Sequence, residues 1–139
     1  MQNNRDVVNG FVESVLNRGQ FDATSEYFWE DVVEQAPFPG QAPGIEGLKD
    51  VVRGLRISFP DMHWTIDEQI TEGEKVLSRF HWKGTHRGEF LGVPATNRPV
   101  SVWGMVIDRV EDGRIKETRI IMDTLGLMTQ LGVLLPPPR

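Results

Sequence analysis

Four strand-like segments follow Phe59-Pro60 in direct succession, and this run most narrows what the chain can become. Residues 62–70, 75–85, 99–110 and 114–122 each carry the apolar alternation or β-branched content of a strand. Glu72-Gly73-Glu74 and Glu111-Asp112-Gly113 are tight hairpin turns between them. Residues 85–98, which contain Gly88 and Gly92 and follow Gly84, form a longer connection. Helical spacing is confined to the first part of the chain. Val7, Val8, Phe11, Val12 and Val15 predict a helix from Asp6 to about Arg18-Gly19. Residues 21–29 read as a second helix with Asp22 as N-cap. Residues 32–35 read as a short strand, and residues 45–58 as a third helix. Helices first and an antiparallel meander afterwards mean α+β. The architecture expected is three N-terminal helices on a strongly curved antiparallel sheet, forming a cone with an internal pocket.

The length of 139 residues fits one domain, residues 1–139, with enough buried surface for a core. A 39% hydrophobic and 25% charged composition is that of an ordinary globular protein. Net charge is -5, and no basic stripe is present, which argues against nucleic acid and anionic membranes as partners. Cysteine is absent, so disulfides and thiolate chemistry are excluded. The first residues lack the apolar stretch of a signal peptide, and no apolar run approaches the roughly 20 residues of a membrane helix. The expected location is the cytoplasm. Pro136-Pro137-Pro138 is expected to form an extended tail.

The chemistry centres on Asp123. It follows Ile120, Ile121 and Met122 directly and precedes a short helical segment, so it stands where a strand end meets a helix start. Burial there would raise its pKa toward acid/base use. An N-cap role is equally compatible with the position. Strand parity puts Glu117, Arg119, Ile121 and Asp123 on one face. On the preceding strand, Val102, Gly104, Val106 and Asp108 share one face, and Ser101, Trp103, Met105, Ile107 and Arg109 the other. Parity does not say which face lines a pocket. Arg119 is a candidate for orienting an anionic or enolic oxygen, with a cross-strand ion pair as the commoner role. His81, inside a strand, is a candidate acid or base, and more often such a histidine is only hydrogen-bonded. His63 and His86 look like surface or loop residues. The three histidines match no metal signature, and no nucleophile elbow, phosphate loop or dinucleotide fingerprint is present. No metal and no cofactor are expected. The tryptophans Trp29, Trp64, Trp82 and Trp103 suit core or interface packing, and also a flat aromatic ligand.

Four segments together resemble the SnoaL-like polyketide cyclases, which have the nuclear-transport-factor-2-like fold. They are residues 37–49 (PFPGQAPGIEGLK), 84–98 (GTHRGEFLGVPATNR), 109–115 (RVEDGRI) and 123–132 (DTLGLMTQLG). The resemblance implies an α+β cone with a deep apolar pocket, and a homodimer or homotetramer. It implies an intramolecular aldol condensation of an aromatic polyketide ester, with Asp123 as the acid/base and no cofactor. Together with the strand reading, the candidate substrate-binding residues are Glu34, Gln35, His81, Gly104, Val106, Arg119 and Ile121. Gly104 and Val106 stand where those cyclases carry polar residues. Thr118 and Arg119 stand where many relatives have histidine and tryptophan, and Gln35, beside Glu34, where they often have histidine. The partners expected are a small hydrophobic polycyclic aromatic ligand and a second copy of the chain. Two other roles remain open, a polyketide-tailoring hydroxylase and a non-catalytic ligand-binding domain. A cavity-facing carboxylate favours chemistry, and a solvent-facing capping one favours binding.

Overall fold

The computed structural model describes residues 3–133; the proline tail lies outside the described residues. Helix α1 (Asn4–Phe11) starts at Asn3, whose side chain accepts from the Arg5 amide at 2.9 Å. It continues as a π-helical segment (Val12–Asn17), so the apolar face carries on through buried Val15 and Leu16. A 3₁₀ turn (Phe21–Ala23) leads into the short helix α2 (Thr24–Tyr27). Strand β1 (Phe28–Glu34) follows without a break. Helix α3 (Gly44–Ser58) covers β1, burying Ile45, Val52 and Leu55. Strands β2 (His63–Glu72), β3 (Lys75–Thr85), β4 (Pro99–Glu111) and β5 (Arg114–Met122) form the meander, and helix α4 (Thr124–Gln130) closes the described chain. No helix among the described residues is long and apolar enough to cross a membrane.

The α+β class and the strand-turn-strand order agree with the sequence pattern. Asp112 and Gly113 both take positive φ, 48° and 81°, as the tight β4–β5 hairpin requires. Three local expectations change. The second helix stops at Tyr27, and Phe28 and Trp29 belong to β1. Both have partners that only the fold supplies. Phe28 pairs with Ile115 and packs its ring 4.7 Å from that of Phe11. Trp29 donates from Nε1 to the carbonyl of Glu111 at 2.8 Å. Asp22 makes no capping hydrogen bond to α2. The sheet is mixed rather than antiparallel, in the order β1-β5-β4-β3-β2, because β1 runs parallel to β5.

Burial alternates along the sheet. On β4 the even-numbered side chains from Val100 to Val110 face inward, and Trp103, Met105 and Ile107 face out. On β5 the inward set is Thr118, Ile120 and Met122, while Arg119 and Ile121 face outward. Two groups of buried side chains fill the interior. One is built around Leu16, Val52, Trp64, Phe80 and Trp82, the other around Val7, Val8, Phe28, Val76 and Ile115. His86, expected near the surface, is wholly buried. Its Nδ1 lies 3.0 Å from Thr96 Oγ1 and accepts from the Thr96 amide at 3.2 Å, which pins the 85–98 connection over Phe59.

Candidate active site

An apolar cavity of about 100 Å³ lies where the two groups of core side chains meet. Helices α1 and α3 form one wall, with Phe11, Leu16 and Leu55, and the concave face of the sheet forms the other, with Trp64, Phe80 and Ile120. The strand register sets a single polar row into that sheet wall. Glu34 of β1 pairs with Thr118 of β5, and Thr118 pairs with Asp108 of β4. Residues paired across neighbouring strands present their side chains to the same face. The row therefore aims two carboxylates, with a hydroxyl between them, into an apolar space. All three line the cavity.

The environments of the two carboxylates differ. Asp108 is 4% exposed. Burial pushes its pKa up to about 7, and the negative charge of Glu34 adds to the rise, while a hydrogen bond from Thr118 partly opposes it. Glu34 is half-buried, and burial raises its pKa too. Its carboxylate accepts from the Ala36 amide at 2.9 Å and from the Ile120 amide at 3.5 Å, and these bonds hold the charged form. Burial thus divides the two carboxyls, raising the proton affinity of Asp108 further than that of Glu34, whose charged form two amide hydrogen bonds support. That division is what general acid/base chemistry uses.

A groove adjoins the cavity. Glu34, Gln41, Leu48 and Thr118 also line a shallower groove of about 470 Å³, bounded by Pro37 and Pro43 of the β1–α3 connection. Glu34 thus borders both cavity and groove.

The residues expected from sequence divide between the two faces of the sheet. Glu34 and Val106 line the cavity. Gly104 is inward but is not among the lining residues. A Cβ there would clash with the Ile121 carbonyl oxygen and come within 2.6 Å of Phe80 Cζ, so the glycine makes room both for the β5 backbone and for a ring that lines the cavity. Arg119 and Ile121 do not reach the cavity, since their parity puts them on the outer face, Ile121 being 72% exposed. Gln35 is exposed and donates from Nε2 to Glu117 at 2.7 Å, also away from the cavity. His81 is on the outer face, with Nδ1 2.8 Å from Asp67. Asp123 is half-buried and caps α4, its Oδ1 accepting from the Gly126 amide at 2.9 Å. It is not among the cavity-lining residues. Asp108 is the residue the sequence reasoning passed over. It shares a face with Gly104 and Val106 at the next inward position, and that alternation was the available signal.

Helices packed on the concave face of a curved mixed sheet are the architecture of the nuclear-transport-factor-2-like folds. The profile of the SnoaL-like polyketide cyclases matches residues 6–131, and the chain belongs to that family. It is 30% identical to the aklanonic acid methyl ester cyclase DnrD of Streptomyces peucetius, over 96% of this chain and 93% of that one. It is 29% identical to the nogalonic acid methyl ester cyclase of Streptomyces nogalater, over 86% and 90%. Among solved structures, TsrD of Streptomyces laurentii superposes with a TM-score of 0.86 at 30% identity, covering 94% of this chain and 95% of that one. IdmH of Streptomyces antibioticus superposes with a TM-score of 0.83 at 34% identity, covering 95% and 100%. The chain is a polyketide cyclase-like enzyme.

Proposed function

We propose that the protein cyclises a polyketide-type carbonyl ester by proton transfer between the substrate and the Glu34–Asp108 pair, without metal or organic cofactor. The observation that carries the proposal is the row Glu34–Thr118–Asp108 on the wall of an otherwise apolar cavity. A buried carboxyl and a half-buried one are costly to keep beside an apolar ligand. A passive binding pocket has no need of them, which favours catalysis over the binding-domain reading. The relatives named for aklanonic and nogalonic acid methyl esters point to the methyl ester of a polyketide acid as substrate.

The proposed steps balance without an added reactant. Glu34, ionised, takes the acidic proton from the carbon next to a carbonyl, leaving an enolate. That carbon attacks a second carbonyl of the same molecule, so a carbon–carbon bond forms and the carbonyl π bond breaks. Asp108, protonated, delivers its proton to the new alkoxide. The proton on Glu34 then returns to Asp108, with the Thr118 hydroxyl between them as the relay. Asp123, first expected in the acid/base role, keeps the helix cap.

The test is turnover of aklanonic acid methyl ester, or of the nogalonic analogue, by the Asp108→Asn and Glu34→Gln variants. Each variant should lower kcat by about 10²-fold or more. Full turnover by Asp108→Asn, together with loss in Asp123→Asn, would return the role to Asp123.

Self-association through the outer sheet face belongs to the same proposal. Trp103 (46% exposed), Met105, Ile107 and Ile121 lie side by side there, with Met105 opposite Ile121 and Arg79 over the Trp103 ring at 5.1 Å. A second copy, meeting the same face about a two-fold axis, would cover an apolar patch of this kind.

A further inference from the structure

Trp64 carries a polar group that neither the fold nor the proposed proton transfer employs. The residue is 5% exposed, and its Nε1–H has no acceptor among the described residues. A buried donor without a partner is uncommon and costs free energy comparable with a lost hydrogen bond. The contrast with the other tryptophans is direct. Trp29 donates to the Glu111 carbonyl and Trp82 to the Met122 sulfur at 3.4 Å, while Trp103 lies on the outer face. Only Trp64 among these four lines the cavity.

Its position relative to the carboxylates follows from register. Trp64 pairs with Trp82, and Trp82 with Val102 of β4. Val102 and Asp108 are six residues apart on that strand, roughly 20 Å at about 3.4 Å per residue. The indole therefore projects from the opposite end of the sheet wall from the Glu34–Thr118–Asp108 row. Its orientation is held by neighbours. The Phe80 ring lies 4.8 Å from it at 36° and the Trp82 ring 6.1 Å away at 30°. The Asn17 side chain also bridges the Trp64 backbone, accepting from its amide at 2.7 Å and donating to its carbonyl at 3.0 Å.

We propose that Trp64 is a positioning residue that donates a hydrogen bond from Nε1 to an acceptor oxygen on the end of the ligand remote from the Glu34–Thr118–Asp108 row. The ligand class is then an elongated, flat aromatic molecule with a ring carbonyl or ring hydroxyl remote from its reacting carbonyls. This deepens the cyclase reading, because it fixes the direction in which the substrate lies along the sheet wall. The oxygen-bearing ring lies against Trp64, and the reacting carbonyls and the ester lie beside Glu34 and Asp108.

The experiment uses 9-fluorenone and fluorene, one fused-ring skeleton with and without a carbonyl oxygen. Dissociation constants are measured for the wild type and for Trp64→Phe, which keeps an aromatic ring and removes the donor. The wild type should favour fluorenone over fluorene by about tenfold more than Trp64→Phe does. An equal ratio in the two proteins, or binding of neither probe to the wild type, would overturn the proposal. Should Trp64→Phe not fold, the indole N–H signals of the wild type decide. Fluorenone should move the assigned Trp64 signal downfield and fluorene should not; an unmoved signal would overturn it. With a turned-over ester substrate, Trp64→Phe should raise KM more than it lowers kcat. Asp108→Asn should abolish turnover and keep the fluorenone preference, so failure of the two proposals can be told apart.

Discussion

Replacing Asp108 by Asn should make the protein more stable at alkaline pH by an amount its burial sets. The ordinary carboxyl value is 3.8 and the folded value is about 7. Between them the folded chain keeps a proton that the unfolded chain has released. The unfolded state then binds fewer protons, so stability falls as pH rises. Each pH unit in that window is worth about 1.4 kcal/mol, and the whole window about 4 kcal/mol. Above the folded value both states are ionised and the loss levels off. Asn is close to the protonated carboxyl in shape and has no such dependence. The two proteins should be nearly equally stable at pH 4, and Asp108→Asn should lead by about 4 kcal/mol at pH 8. Urea unfolding followed by tryptophan fluorescence measures this directly. With a slope of about 2 kcal/mol per molar urea, the midpoints should separate by about 2 M at pH 8. Glu34 is present in both proteins, so its own titration largely cancels in the difference. Parallel stabilities from pH 4 to pH 8 would refute the reasoning and mean that Asp108 is solvated or otherwise paired.

Further outcomes follow from the same geometry. Glu34→Gln removes a repelling charge, so the Asp108 midpoint, followed by carboxyl-carbon NMR, should move down; an unmoved midpoint would mean the two groups do not interact. Asp123→Ala should cost about 1 kcal/mol through loss of the α4 cap, and Asp123→Asn, which can also cap, should retain both stability and turnover. Gly104→Ala should press on the Ile121 carbonyl and the Phe80 ring together, lowering stability and weakening ligand binding; unchanged stability with an unchanged dissociation constant for an aromatic ligand would show that neither group is fixed there. Ile121→Glu should shift the sedimentation profile toward monomer with turnover kept, whereas an unchanged profile would exclude the outer face as the contact. Exhaustive chelation should leave activity intact, and a loss restored by a divalent metal would overturn the cofactor-free mechanism.

Much of the scaffold was legible because its signals are local. β3 and β5 occupy residues 75–85 and 114–122, as alternation predicts, and both hairpin turns fall at their expected residues. β1 was only partly legible. Phe28 and Trp29 continue a helical pattern, and their strand conformation depends on Ile115 and Glu111, more than 80 residues away in sequence. Among the candidate site residues, Glu34 and Val106 reach the cavity, while Gln35, His81, Arg119 and Ile121 lie away from it.

The sequence by itself determined the α+β class, the family and which side chains share each face of a strand. It also placed Asp108 beside Gly104 and Val106, because the period of two is a property of the extended backbone. Only the tertiary structure decided which face is concave and closed over by α1 and α3. That choice made Asp108 a buried, proton-holding carboxyl and turned Arg119 and Ile121 outward. The row linking Glu34, Thr118 and Asp108 needs β1 docked in parallel on β5. A carboxyl's pKa is set by the solvent and charge around it, and those arise only when distant segments pack.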